Sequence, residues 1–586
     1  MIMRIFIFVF LYSNSLIQAQ IPKFDWIIAE GHRSDVGFSL ITTDPFKNTL
    51  AIINFGLSPY EICGDQFNSN SEYIDIEYLI KYDNKGQCIW QHQFTDNFTG
   101  GTGSGIFLTT DVNANIFIGA AFTGTIWLDD LNFIKSPDGI GEAFVAKLDS
   151  NGKLMWSKML KLEEGKLGHV SVHGLRSDLN GNIYFSAYHS QSQLFFEGIP
   201  IEYTSNSGYY KSTLFKLDPE GNLLWYKKFE AYSSIFQEIK INSKNQVVLA
   251  GSFSGSGLTV DSNVIENRNK IKPEESSDAV LTVLDQNGNV VYFQSLGGLG
   301  SDYLMTLEID NYDNIYIGGT SFLSDEIEIL TGKIRRLKPN REWNNYVVKI
   351  RPDFQLDWIF DDQQVFRHFG IYNIILNKNQ DLWVSCKLEP DTFYFNNIPY
   401  FSHSNSSPDI LYLRMNIKGE ISQVFQIHGE GRDYGNYGHW SGGLHPDGGL
   451  VISGTFTSDT LYFGDYALPT VARKQIGDQY TSAAFIARIS PEGMVGSIDL
   501  KDQEVSLFCV LPNPSKDLIQ IHLGEDIITE GVIEIISTTG NTMTIKQINK
   551  GSTSTAVDVR DWPAGVYFVR YRDIEGRSSV ERVIVE

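Results

Sequence analysis

Basic residues are scarce in this chain: 47 lysines and arginines stand against 70 aspartates and glutamates in 586 residues, a formal net charge of −23. Binding a phosphate backbone needs a basic surface, so nucleic acid is excluded as a partner. The like charge suits a protein kept soluble by self-repulsion. Cysteine is scarcer still, with four in all: Cys63, Cys88, Cys386 and Cys509. No C-x-x-C and no His/Cys ligand spacing occur, which argues against a zinc site. Long apolar runs are missing. The N-terminal run Ile5 to Leu11 falls far short of the ~20 residues a bilayer span needs, and no later stretch reaches that length. The mature chain is therefore read as having no transmembrane segment. Apolar stripes at helical spacing are rare. Also missing are a G-x-S-x-G element, a Cys/His nucleophile arrangement, a Walker-type phosphate loop and a dinucleotide fingerprint. No cofactor and no metal are implied.

What the chain does have is glycine (52 residues), aromatics (13%) and many Val, Ile, Thr and Tyr. That mixture points to an all-β protein with many turns. The first residues differ from the rest. A short basic start (Arg4), the apolar Ile5–Leu11 run and a polar stretch ending at Ala19 follow the order of a secretory signal. Residues 1–19 are read as that signal, cleaved after Ala19.

From there one unit recurs. Phe215-Lys-Leu-Asp-Pro-Glu-Gly-Asn-Leu-Leu-Trp225 reads as a strand, a tight Asp-x-x-Gly turn and a second strand ending on a large aromatic. Its turn glycines fall at Gly86, Gly152, Gly221, Gly288, Gly419 and Gly493. Phe354 stands where the glycine of one copy belongs. A second marker keeps the same period: Asp111-Val-Asn-Ala-Asn115, Asp178-Leu-Asn-Gly-Asn182 and Asp310-Asn-Tyr-Asp-Asn314, each followed by a β-branched or aromatic strand. The step is roughly 65–75 residues, repeated about seven times, a period for four-stranded modules. It is too short for an Ig-type sandwich and too long for a solenoid rung. The expected architecture over residues 20–500 is a seven-bladed β-propeller. Phe24-Asp-Trp-Ile-Ile28 is an orphan outer strand, and it is expected to complete the last blade, whose own copy at Gly493 has lost its aromatic. Trp225 and its equivalents are expected to pack blade against blade. Apolar inserts such as Leu194 to Ile201, Thr392 to Pro399 and Thr460 to Ala467 read as hairpins extending their blades. Residues 24–500 resemble secreted bacterial propellers built from SBBP-like repeats, a likeness that implies a fold and no ligand.

In such a blade all tight turns share one face, and the long connections share the other. Binding usually resides on long loops over a rigid scaffold, so the long-loop face is the candidate functional face. Its richest loop runs from His428 to Gly443 and offers Arg432, Asp433, Tyr434, Tyr437, His439 and Trp440 among glycines. These groups suit stacking on a sugar or gripping a peptide; the competing reading is packing between blades. His169 and His173 share one strand face but lack a third ligand. The turn sequence Asp178-x-Asn180-x-Asn182 looks like a calcium loop without the bidentate Glu that such a loop needs. Cys63 and Cys88 lie in one repeat, where either a disulfide or two buried thiols fits.

After a polar link at 501–508 the repeat stops. Residues 509–586 show period-two strands and are read as a small Ig-like β-sandwich. Pro512, Asn513 and Pro514, a strand turning at Gly540, the run Pro563-Ala-Gly565-Val-Tyr567 and a β-branched last strand resemble the type A C-terminal sorting domain of the type IX (Por) secretion system. Leu511 departs from that pattern, where an aromatic commonly precedes the Pro-Asn-Pro run. The resemblance implies export across the outer membrane by the type IX machinery, acting through residues 509–586, with the domain often removed at the surface. The expectation is a secreted or outer-membrane-attached propeller that acts as a binding or structural module, recognising glycan or protein; whether it is also an enzyme is left open. The alternative is a secreted propeller enzyme, a polysaccharide lyase or glycoside hydrolase.

Overall fold

The computed structural model describes residues 22–585, apart from 31–35, 58–59, 68–72, 95–99, 137–140, 165–167, 191, 204–209, 325, 331, 336–342, 362–368, 379, 389–391, 396–397, 403–408, 432, 436–441, 465, 470–474, 477–478, 481–482, 492–507, 512–514, 524–529, 538–541, 550–553 and 574–577. The proposed signal at 1–19 and the link at 501–508, but for Phe508, lie outside the described residues. The chain divides into two compact units, residues 1–494 and 495–586.

The described residues between 22 and 491 form strands and turns. A representative unit holds the antiparallel strands Ser301–Ile309, Ile315–Phe322, Trp343–Ile350 and Leu356–Asp361, paired in chain order. The same arrangement recurs along the chain. The inner strands of units 1 to 6 are Val36–Thr43, Gly100–Thr110, Val170–Ser177, Ser233–Ile241, Ser301–Ile309 and Phe369–Leu376. In unit 7 two short pieces, Asp433–Gly435 and Gly442–Leu444, both pair with Leu450–Phe456. Ala483–Ile489 follows, and the outer strand of this unit is Phe24–Glu30, from the other end of the region.

Burial follows position within the unit. The middle strands Glu142–Leu148, Asp409–Met415 and Ala483–Ile489 are buried at every residue. They lie between neighbouring units, which explains their near-continuous apolar sequence. Outer strands such as Leu223–Phe229 are mostly half-buried, so polar residues alternate in.

Both sequence markers are one turn. In Asp111–Asn115 the backbone N–H of Asp111 donates to the Asn115 carbonyl (3.0 Å) and the Ala114 N–H to the Asp111 carbonyl (3.0 Å). Asp111 Oδ1 accepts from the amides of Asn113 and Asn115, and Oδ2 from Asn115 Nδ2. The turn at Asp218 repeats this pattern, with Gly221 and Asn222 in the equivalent places. The aspartate satisfies amides that the reversal would otherwise leave bare.

In the turn between third and fourth strands, glycine has a second reason. Gly221 has φ +83°, and a Cβ there would lie 3.0 Å from Trp156 of the preceding unit. Gly152, Gly288 and Gly419 face Trp90, Trp225 and Trp358 in the same way. The indoles of Trp156, Trp225 and Trp358 donate to carbonyls of the turns they cover, at 2.9–3.1 Å. Phe354 replaces glycine where the preceding aromatic is Tyr292, and the two rings stack at 4.3 Å. Trp26, on the strand that completes unit 7, meets Gly86 of unit 1 and donates to the Asn84 carbonyl (3.2 Å). Units 7 and 1 thus meet through the same contact as interior neighbours. Thr43 of unit 1 also donates to the Leu444 carbonyl of unit 7 (3.0 Å).

The inserts form hairpins, as expected, but several attach elsewhere. Leu194–Phe196 pairs with Leu160–Leu162 of the preceding unit, and the hairpin starting at Thr460 pairs through Tyr462 and Phe463 with Ile427 and His428. Bridges Glu230↔Thr259 and Gly297↔Glu328 repeat the pattern. These hairpins therefore cover the outer edge of the unit before them rather than extending their own. The reason is that an outer strand presents unpaired backbone groups that need a partner.

The C-terminal unit has two sheets. One orders Phe508–Leu511, Leu518–Leu523 and Ser554–Asp558; the other orders Thr542–Ile548, Gly531–Ser537, Gly565–Asp573 and Ser578–Val585. Ile519, Ile521, Ile533, Ile535, Tyr571 and Val583 share one core.

Candidate functional site

The loop from His428 to Gly443 was the candidate binding loop. Arg432, Tyr437, His439 and Trp440 lie outside the described residues. Tyr434 is placed only as a strand residue paired with Thr455. Asp433 is fully buried, and its carboxylate accepts from Ser458 Oγ at 2.7 and 2.9 Å. Ser458 Oγ in turn accepts from the Gly431 amide (2.8 Å). The carboxylate thus ties the base of the loop to the insert that follows the next strand. Burial pushes the Asp433 carboxyl up to about 7 against the pull of the Ser458 bonds, and Asp409 adds to the push.

The loop's setting is distinctive. Gly435 pairs with Gly454 and Gly442 with Ile452. Six residues, 436–441, separate the first two positions, while only Ser453 separates their partners. The inner strand is one continuous strand in each of the other units.

A second buried carboxylate pair stands at the seam of units 4 and 5. Asp278 and Asp302 are both fully buried. Asp278 Oδ2 accepts from the Arg268 amide (3.0 Å), and Asp302 Oδ2 from the Gly298 amide (2.7 Å). Burial pushes the Asp278 carboxyl up to about 7 while Arg268 pulls it down. Sequence reading missed this pair, because one Asp among 70 acidic residues carries no mark of its burial.

His173 hydrogen-bonds Ser171 (2.8 Å) and packs its ring 5.5 Å from both Phe107 and Tyr188, a packing role. Among the described residues no group of three His, Cys, Asp or Glu side chains could hold a metal ion. Asp178 spends its oxygens on Asn180, Asn182 and Tyr184 within its own turn. Cys63 and Cys88 form a disulfide. The tight-turn face also carries apolar tips that sequence reading passed over: Phe46, Val112, Leu179 and Tyr312 are 48–79% exposed, at turn positions that usually take polar residues.

In the C-terminal unit, Pro512, Asn513, Pro514 and Gly540 lie outside the described residues. The Pro563–Tyr567 run closes on itself. Tyr567 is buried and donates its hydroxyl to the Pro563 carbonyl (2.7 Å), with Trp562 packed on its ring. Gly565 is exposed, and a Cβ there would meet only the Pro563 carbonyl, at 4.0 Å. Beside this, Glu534 accepts from Arg570 and Thr542 on an open groove of about 320 Å³ lined also by Glu530, Gln547 and Arg572. Residues 509–586 match the family model of the secretion system C-terminal sorting domain, the Por secretion tail.

The C-terminal unit is a sorting domain. It directs the chain to the type IX secretion machinery, so the protein is exported and is secreted or attached at the outer-membrane surface. No curated protein matches the chain. Among solved structures, the WD40 domain of Neurospora crassa Pan2 is similar at 8% identity, covering 80% of this chain and 96% of that one, with a TM-score of 0.37. A protein of unknown function from Dyadobacter fermentans is similar at 6% identity, covering 81% and 99%, with a TM-score of 0.34. The endosialidase of phage phi92 is similar at 7% identity, covering 93% and 87%, with a TM-score of 0.32. Likeness at this level says nothing of ligand or chemistry. Among the described residues no helix is long and apolar enough to cross a membrane.

Proposed function

We propose that the exported chain is a seven-bladed β-propeller followed by an Ig-like sorting domain, and that the propeller is a binding or structural module recognising glycan or protein. The loop at 428–443 is the contact segment. The observation that carries this reading is the break in pairing of the inner strand in unit 7, where the six residues 436–441, including Tyr437, His439 and Trp440, stand against the single residue Ser453 of the partner strand. An insertion at the innermost strand of a rigid sheet costs strand pairing, and loops on such scaffolds are where recognition resides. Aromatic rings with an imidazole suit sugar faces and peptide side chains. In this reading Asp433 anchors the loop, and Arg432, Tyr434, Tyr437, His439 and Trp440 make the contact.

The test replaces residues 436–441 by two glycines and measures binding of wild type and variant to glycan and protein arrays. Every ligand retained by the wild type should lose at least about tenfold in affinity, the weight of one or two anchor residues. Unchanged binding removes the loop from the site.

A further inference from the structure

We infer that the face formed by the turns between first and second strands docks on an anionic lipid surface, its apolar tips entering the interface and its lysines meeting lipid phosphates. Phe46, Val112, Leu179 and Tyr312 stand exposed at the tips of these turns in units 1, 2, 3 and 5. A single exposed apolar residue needs no explanation. Four at the same place in a repeated turn form a pattern. Hydrogen bonds hold the turns side by side. Thr110 Oγ1 donates to the Thr43 carbonyl (2.9 Å) and Ser177 Oγ to the Thr110 carbonyl (2.9 Å), joining units 1, 2 and 3. The amide and hydroxyl of Ser243 in unit 4 both donate to the Asp313 carboxylate of unit 5, at 2.8 Å.

Charge selects the partner. The chain carries −23 overall. Among the described residues of these turns, however, the exposed charged side chains are Lys47, Lys244 and Lys378. The aspartates are turned inward. Asp44 and Asp111 are buried beside Lys81 and Lys147, at 2.9 and 3.9 Å. Asp178, Asp310 and Asp313 are buried as well. Asp381 accepts from Arg414 (3.0 Å) and Asp447 from Arg488. The turns between third and fourth strands carry both signs, as exposed Lys85 and Glu220 show. Apolar tips among lysines, with no exposed carboxylate beside them, complement anionic headgroups over an apolar layer. A second copy set face to face by a two-fold axis would oppose the same lysines to one another. The sorting domain brings the chain to the outer-membrane surface, where a lipid layer lies. In about 0.15 M salt the screening length is about 8 Å, so carboxylates on other faces are screened from that layer. The inference does not depend on what the loop at 428–443 binds.

The test measures sedimentation of the full native chain with vesicles of phosphatidylethanolamine and phosphatidylglycerol, and with vesicles of phosphatidylcholine, in about 0.15 M salt. The chain should pellet with the anionic vesicles and bind the neutral ones at least about tenfold more weakly. The variant Phe46→Ser/Leu179→Ser removes exposed side chains, so its thermal midpoint should stay unchanged while vesicle affinity falls at least about tenfold. Lys47→Glu/Lys244→Glu should also weaken binding and blunt its dependence on salt; it decides the matter if the first variant melts early. A chain that stays in the supernatant with both vesicles overturns the proposal, as does binding by both variants equal to the wild type. Self-association abolished by Phe46→Ser/Leu179→Ser, without vesicle binding, overturns it too and assigns the face to a second copy.

Discussion

Gly86, Gly152, Gly221, Gly288 and Gly419 each take a left-handed backbone beneath a tryptophan, so two independent demands select the same residue. The sequence shows both halves of this contact, the Asp-x-x-Gly turn and the terminal Trp, but one period apart. That distance concealed their partnership. Buried acids are the opposite case. Nothing near Asp278 or Asp433 in the chain announces that each faces another aspartate across a seam, since burial is set by neighbours distant in sequence. Both carboxyls are pushed up to about 7 from 3.8, chiefly by burial. Raised folded values mean that their contribution to stability is complete below about pH 4 and is lost as pH rises through 7. Each carboxyl sets a slope of at most about 1.4 kcal/mol per pH unit over that window. Thermal midpoints taken from pH 4.5 to 7.5 should therefore fall with rising pH, and Asp433→Asn should flatten the decline. A midpoint that rises over this range would contradict the assignment.

At the scale of elements, strand order within a unit was legible because hairpin turns and alternation are local chemistry. The attachment of the inserts was not. The hairpin Leu194–Ile201 looked like an extension of its own sheet, yet it pairs with Leu160–Leu162, because the exposed edge that needs a partner belongs to the unit before it. The exception in the repeat has a physical reading: Phe354 fits where Tyr292, rather than Trp, covers the turn. Tyr292→Trp alone should destabilise the protein by about 1–3 kcal/mol through overpacking. Adding Phe354→Gly restores the common pairing and should recover most of that loss. A thermal-melt double-mutant cycle checks this, and additive effects would show that the two rings are not coupled.

For the whole molecule, the sorting domain sets the destination. Removing residues 509–586 should leave the protein in the periplasm, as read by cell fractionation and surface protease accessibility; continued display at the surface would refute the assignment. The all-β class, the repeat period, the turn chemistry and the C-terminal address were determined by the sequence alone, since each rests on residues within one hairpin or one short motif. Three features were decided only by the tertiary structure: the meeting of Trp26 with Gly86, the choice of disulfide over free thiols at Cys63 and Cys88, and the burial of Asp433 against Ser458. Each depends on which surfaces come together when the units pack, and Arg488 reaching Asn84 across 404 residues shows how far from local pattern that packing can lie.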